Sequence, residues 1–154
     1  MEIRDLLTSD SVIANLRVTS KKQALQELAG AVARVTDLDE RAVFDVLMER
    51  EKLGTTGVGN GIAIPHGKLP GLDKLYGMFA RMEKPIDFQA IDDQPVDLIF
   101  LLLAPESAGA DHLKALARVS RLLRDRATCD KLRGTDNAEA LFAILSNSAD
   151  VQAA

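Results

Sequence analysis

The chain has 154 residues and a net charge of −4, enough for one ordinary domain and without the basic field of a typical nucleic-acid binder. A single cysteine, Cys129, excludes an internal disulfide, and the opening Met-Glu-Ile-Arg-Asp has no apolar core of signal-peptide length. The longest apolar run, Leu98 to Ala104, falls far short of the ~20 residues that cross a bilayer, so the chain is expected in the cytoplasm with no membrane insertion.

In chain order, Ser11 to Thr19 carries Val12, Ile13, Leu16 and Val18 and predicts a first strand. Ser20 and Gln23 form a capping-box pattern that opens a helix with Leu25, Leu28, Val32 and Val35 on one stripe. Asp37 with Glu40 repeats the signal for a second helix through Val43, Val46 and Leu47, which Gly54 is placed to stop. Residues 55–61, with three glycines, predict a loop. Ile62 to Ile64 predicts a short strand closed by Pro65. Leu75 to Met82 and Val96 to Leu103 predict further strands, joined by a loop containing Pro85 and Pro95. The second of these holds the apolar run and reads as a strand buried on both faces. Helices follow over Ala110 to Arg124, Cys129 to Arg133 and Asn137 to Leu145. His112 opens the stripe of Leu113, Leu116, Val119 and Leu123, while Arg118, Arg121, Arg124 and Arg126 read as a solvated basic face.

Helices, then strands, then helices without simple alternation predict an α/β fold. It is a single layered domain, with a mixed parallel/antiparallel β-sheet flanked by helices on both faces. The domain is expected over residues 1–146, with 147–154 as a frayed tail.

The stretch that carries chemistry is Thr55-Thr56-Gly57-Val58-Gly59-Asn60-Gly61-Ile62-Ala63-Ile64-Pro65-His66-Gly67-Lys68. It is neither a Walker A loop, because five residues separate Gly61 from Gly67 and Leu69 follows Lys68, nor a dinucleotide fingerprint, because isoleucine stands where the third glycine belongs. Glycines let backbone N–H groups approach an anion. Pro65 fixes the direction in which the imidazole of His66 leaves the chain. A metal site is disfavoured by two histidines and one cysteine, and a general base lacks an accompanying nucleophile. A nucleophilic histidine and a structural one both remain open on the residues alone. Arg50 shares a helix face with Val43 and Leu47, either snorkelling or serving an anion. His112 sits in a first turn, where the helix favours anions and a neutral imidazole.

The segment from Arg50-Glu51-Lys52-Leu53-Gly54 through Lys68 resembles the signature of fructose, mannitol and nitrogen-type IIA domains of the bacterial phosphotransferase system. Asp87-Phe88, Asp97-Leu98 and Asp111-His112-Leu113 fall where that family places its motifs, so the resemblance spans roughly Leu6 to Leu145. It implies that His66 accepts a phosphoryl group at Nε2 from an HPr-type phosphocarrier, with Arg50 and His112 as the matching site residues. Thr56, Asn60, Gly61 and Lys68 are expected to support the phosphoryl oxygens, and no cofactor or metal is implied. Asn60, where mannitol-type domains tend to have glutamate, resembles the nitrogen-type branch, as does a chain that carries no fused permease domain. That branch implies a regulator of protein targets, potassium transporters or sensor kinases among them. The alternatives are a sugar-transport IIA that passes phosphate to a IIB domain and a non-catalytic anion-binding domain. Val58 and Leu69 are expected to supply apolar docking area, and Lys68 to steer acidic partners.

Overall fold

The computed structural model describes residues 2–153, the last six of them as backbone alone. In order, the elements are α1 (Ile3–Leu6), a 3-10 turn (Ser9–Ser11), β1 (Val12–Leu16), α2 (Lys21–Thr36), α3 (Glu40–Lys52), β2 (Gly57–Gly59), β3 (Ile62–Ala63), β4 (His66–Leu69), β5 (Tyr76–Ile86), β6 (Val96–Pro105), α4 (Ala110–Arg124), α5 (Arg126–Arg133) and α6 (Ala138–Ala153). Among the described residues the strands form one mixed sheet in the order β1-β5-β6-β3-β2, with β4 also on β6. β5 is antiparallel to β6, and β1 is parallel to β5. Strands β3 and β4 lie parallel on the same edge of β6, one after the other.

β6 organises the interior. Residues 98–104 are fully buried, as expected for a strand covered on both sides. Its alternation divides the core. Ile99, Leu101 and Leu103 pack with α2 and α3; Leu98, Phe100 and Leu102 pack with α1, α4, α5 and α6. Helices therefore cover both faces, as the order of elements predicted.

The local differences have physical reasons. α2 is capped as expected, Ser20 Oγ accepting from the N–H of Gln23. Asp37 does not open α3. It closes α2 in the left-handed conformation (φ 59°) and donates its N–H to the carbonyl of Ala33, while Asp39 caps α3 by accepting from Ala42 N–H. Residues 57–59, predicted as loop, form strand β2, where Gly57 is required because a Cβ would stand 2.9 Å from the Ala90 Cα. Pro85 lies inside β5 rather than in the following loop, at a register shift between Arg81 and Ile86 where no ladder donor is needed. The short helix begins at Arg126 because Asp125 accepts from Thr128 N–H. The backbone of α6 runs on to Ala153, and residue 154, the end of the segment expected as a tail, lies outside the described residues.

Candidate functional site

His66 is the first residue of β4, paired with Leu102 of β6. The edge of β6 is served first by β3 and then by β4, with Ile64 and Pro65 between them. This interruption frees the Ile64 carbonyl from the ladder. It accepts from His66 Nδ1 at 2.8 Å, which puts the ring proton on Nδ1 and leaves the Nε2 lone pair outward. Arg50 donates Nε–H to that lone pair at 3.3 Å and Nη1–H to the Gly54 carbonyl at 2.9 Å. α3 comes close enough because residue 67 is glycine: a Cβ there would lie 2.3 Å from Val46 Cγ1, and Val46 is one turn before Arg50.

From the other side, α4 brings His112. The two imidazoles meet edge to face, with centroids 5.7 Å apart. His112 is 8% exposed, and its buried Nε2 has no hydrogen-bond partner among the described residues. Lys68, two residues along β4, is exposed, and its charge reaches His112. Burial lowers the His66 pKa below the ordinary 6.5, aided by the Arg50 charge and opposed by the Ile64 bond and Glu51. His112 is lowered as well, by burial first and then by the charges of His66 and Lys68. Both rings are thus held neutral near neutral pH.

Of the residues singled out in the sequence, His66, Arg50, His112 and Lys68 converge, and the others do not. Thr56 is buried, and its N–H (3.0 Å) and hydroxyl both donate to the Glu51 carboxylate, so neither is left to meet a phosphoryl oxygen. Asn60 and Gly61 form the β2–β3 turn, with Asn60 at φ 57°. The Asn60 N–H donates to Asp92, and its carbonyl accepts from Arg133. Asp97 donates its N–H to the Gly61 carbonyl, whereas Leu102 pairs with His66. Those five steps of β6 span about 16 Å at ~3.3 Å per residue, which removes Asn60 and Gly61 from the site. The expected docking residues also change. Leu69 is 3% exposed in the α2–α3 core, and Val58 lies on β2 beside the remote turn. Exposed apolar side chains close in sequence to site residues are Leu53, three residues after Arg50, and Leu113, next to His112, at 84% and 69%. Leu113 therefore does not belong to the buried stripe of α4.

Glu51 was missed. Its signal was an acid continuing the Val43–Leu47 stripe by one more turn. It is 8% exposed and bonds Lys21 Nζ at 2.8 Å in addition to Thr56. Among the described residues no group of three His, Cys, Asp or Glu side chains is placed to hold a metal, and no helix is long and apolar enough to cross a membrane.

Residues 5–148 match the family described as "Phosphoenolpyruvate-dependent sugar phosphotransferase system, EIIA 2". The chain belongs to this EIIA family. Within it, the chain is 60% identical over 146 residues to a nitrogen regulatory protein of Bradyrhizobium diazoefficiens, covering 95% of both. It is 36% identical to a fructose-specific EIIA component of Haloferax volcanii, covering 91% of this chain and 96% of that one. The EIIA fold superposes on the crystal structure of the nitrogen regulatory protein IIA-Ntr from Neisseria meningitidis with a TM-score of 0.88 at 37% identity, covering 93% of this chain and 98% of that one.

Proposed function

We infer that the chain is a regulatory phosphoryl carrier of the nitrogen type, which takes a phosphoryl group on His66 Nε2 from an HPr-type phosphocarrier. The observation that carries this is the fixed imidazole, with Nδ1–H held by the Ile64 carbonyl and the Nε2 lone pair beside a guanidinium. The lone pair forms the new N–P bond as the P–N bond to the donor's histidine breaks and its electron pair returns to that nitrogen. The acceptor ring then carries positive charge, which the Nδ1–H···O=C bond spreads onto Ile64. Arg50 releases Nε2 and turns its N–H groups to the phosphoryl oxygens, where His112 and Lys68 add support. Little else is needed, since phosphoryl transfer depends mainly on positioning and electrostatics. The charged ring is also a good leaving group, so the transfer is reversible.

A phosphoryl group adds about −1.5 to −2 charge at a site whose neighbours in sequence are the exposed Leu53 and Leu113. That charge acts as the switch on binding of regulatory targets, such as potassium transporters or sensor kinases. Incubation with phosphorylated carrier, followed by intact-mass measurement, should add one phosphoryl group to the wild type and none to His66→Ala. Label that survives in the variant refutes the assignment. The 36% identity to a fructose-specific component favours a second reading, onward transfer to a IIB domain. Phosphate delivered from the labelled protein to such a domain would favour it.

A further inference from the structure

Both nitrogens of the His66 ring are held by groups that hang from one short segment, the connection between α3 and β2. The Ile64 N–H donates to the Thr56 carbonyl at 3.0 Å, and the Ile64 carbonyl accepts from His66 Nδ1. On the other nitrogen, Arg50 is steadied by the Gly54 carbonyl. Gly54 and Thr56 are in turn tied to one residue: the Gly54 N–H donates to the Glu51 carbonyl, and both Thr56 donors end on the Glu51 carboxylate. Lys21, from the first turn of α2 and stacked 4.8 Å over Phe88, neutralises that carboxylate at 2.8 Å.

We propose that Glu51 is a positioning residue for the phosphoryl acceptor: its buried carboxylate locks Thr56, whose carbonyl holds the Ile64 N–H, and thereby keeps the Ile64 carbonyl against His66 Nδ1. This rests on the reading of His66 as the acceptor. A carboxylate suits the task because its two oxygens fix a peptide N–H and a hydroxyl of the same residue together, setting the direction of the Thr56 carbonyl as well as its place. Stability alone is a poor reason for such a pair, since well-packed apolar side chains often replace a buried ion pair without loss. Glu51 touches neither phosphate nor ring. It acts on which nitrogen keeps the proton.

The test uses Thr56→Val, which removes the hydroxyl donor at nearly constant shape, Glu51→Gln, and Thr56→Ser as the conservative control. In the unphosphorylated protein, imidazole ¹⁵N shifts give the His66 tautomer ratio; labelling from phosphorylated carrier gives the rate. The wild type should hold the Nδ1–H tautomer throughout. Thr56→Val and Glu51→Gln should raise the Nε2–H form severalfold and slow labelling about 10- to 100-fold, the scale of a small misplacement of reacting groups. Thr56→Ser should restore both. Folded variants with the wild-type tautomer ratio overturn the proposal whatever their rate, because a slower rate alone would mark a merely structural role. If Glu51→Gln does not fold, Thr56→Val decides. If wild-type His66 takes no label, the acceptor reading falls, while the tautomer ratios still decide the role of Glu51.

Discussion

Arg50→Ala separates two roles that the structure gives to one guanidinium. Its Nε–H is 3.3 Å from His66 Nε2, and a second N–H anchors it to Gly54, so it stands ready where negative charge develops. Removing one preorganised group of this kind costs roughly 10²–10³ in rate, about 2.7–4 kcal/mol of barrier. The same charge also lowers the His66 pKa, second to burial among the causes that lower it. Without it the pKa rises toward 6.5 but only part of the way, because the burial remains. The acid limb of the pH–rate profile, where protonation blocks the lone pair, should therefore move to higher pH as the plateau falls. Rapid-quench labelling of His66 across about pH 5 to 8, with an NMR titration of the ring, reads both effects. Arg50→Lys should keep the limb near its wild-type place yet recover only part of the rate, since an ammonium lacks the fixed second donor. A wild-type plateau in Arg50→Ala, or a limb that stays put or moves to lower pH, refutes the reasoning.

Gly67→Ala forces the new methyl to within 2.3 Å of Val46 Cγ1 against an ordinary ~3.5–4.0 Å. It should cost about 1–3 kcal/mol in thermal unfolding and slow labelling by displacing α3 with Arg50; adding Val46→Ala should recover both, and no recovery would disprove the contact. Because the folded pKa values of His66 and His112 lie below 6.5, the unfolded chain binds protons first. Their contribution to stability is complete above that pH and is lost as pH falls, at no more than about 2.7 kcal/mol per pH unit for two groups. Denaturant titrations of wild type and His112→Phe should show the smaller acid loss in the variant. Asn60→Gly, at a left-handed position far from His66, should leave labelling within about twofold; a tenfold loss would return the turn to the site.

The sequence exposed features that depend on local periodicity and punctuation. The apolar run of β6, the cap at Ser20 and the Pro65-His66-Gly67 setting all emerged where periodicity or turn chemistry placed them. Arg50 and His112 were visible as polar residues on apolar stripes. What escaped depended on tertiary contacts and distances that no local pattern signals. Asn60 and Gly61 looked like part of one phosphate cradle because they lie near His66 in sequence, but an extended chain carries them to the other end of β6. Thr56 looked available because nothing local signals that a carboxylate five residues earlier takes both its donors. Leu113 was assigned inward because a stripe read one position out of phase cannot be corrected without the partner surface.

The interruption at Ile64 and Pro65 has a consequence for how the site can lose its order. The carbonyl that aims the imidazole is tied down on both sides: Pro65 O accepts from Leu102 N–H of β6, and Ile64 N–H donates to the carbonyl of the buried Thr56. Its orientation thus rests on two buried supports, the central strand β6 and the Thr56–Glu51 lock, rather than on a surface loop with its own low opening energy. Amide exchange at Leu102 and scrambling of the His66 proton should then report one and the same opening event. With the Thr56–Glu51 lock intact, mild denaturant should leave the acceptor aimed until β6 itself opens.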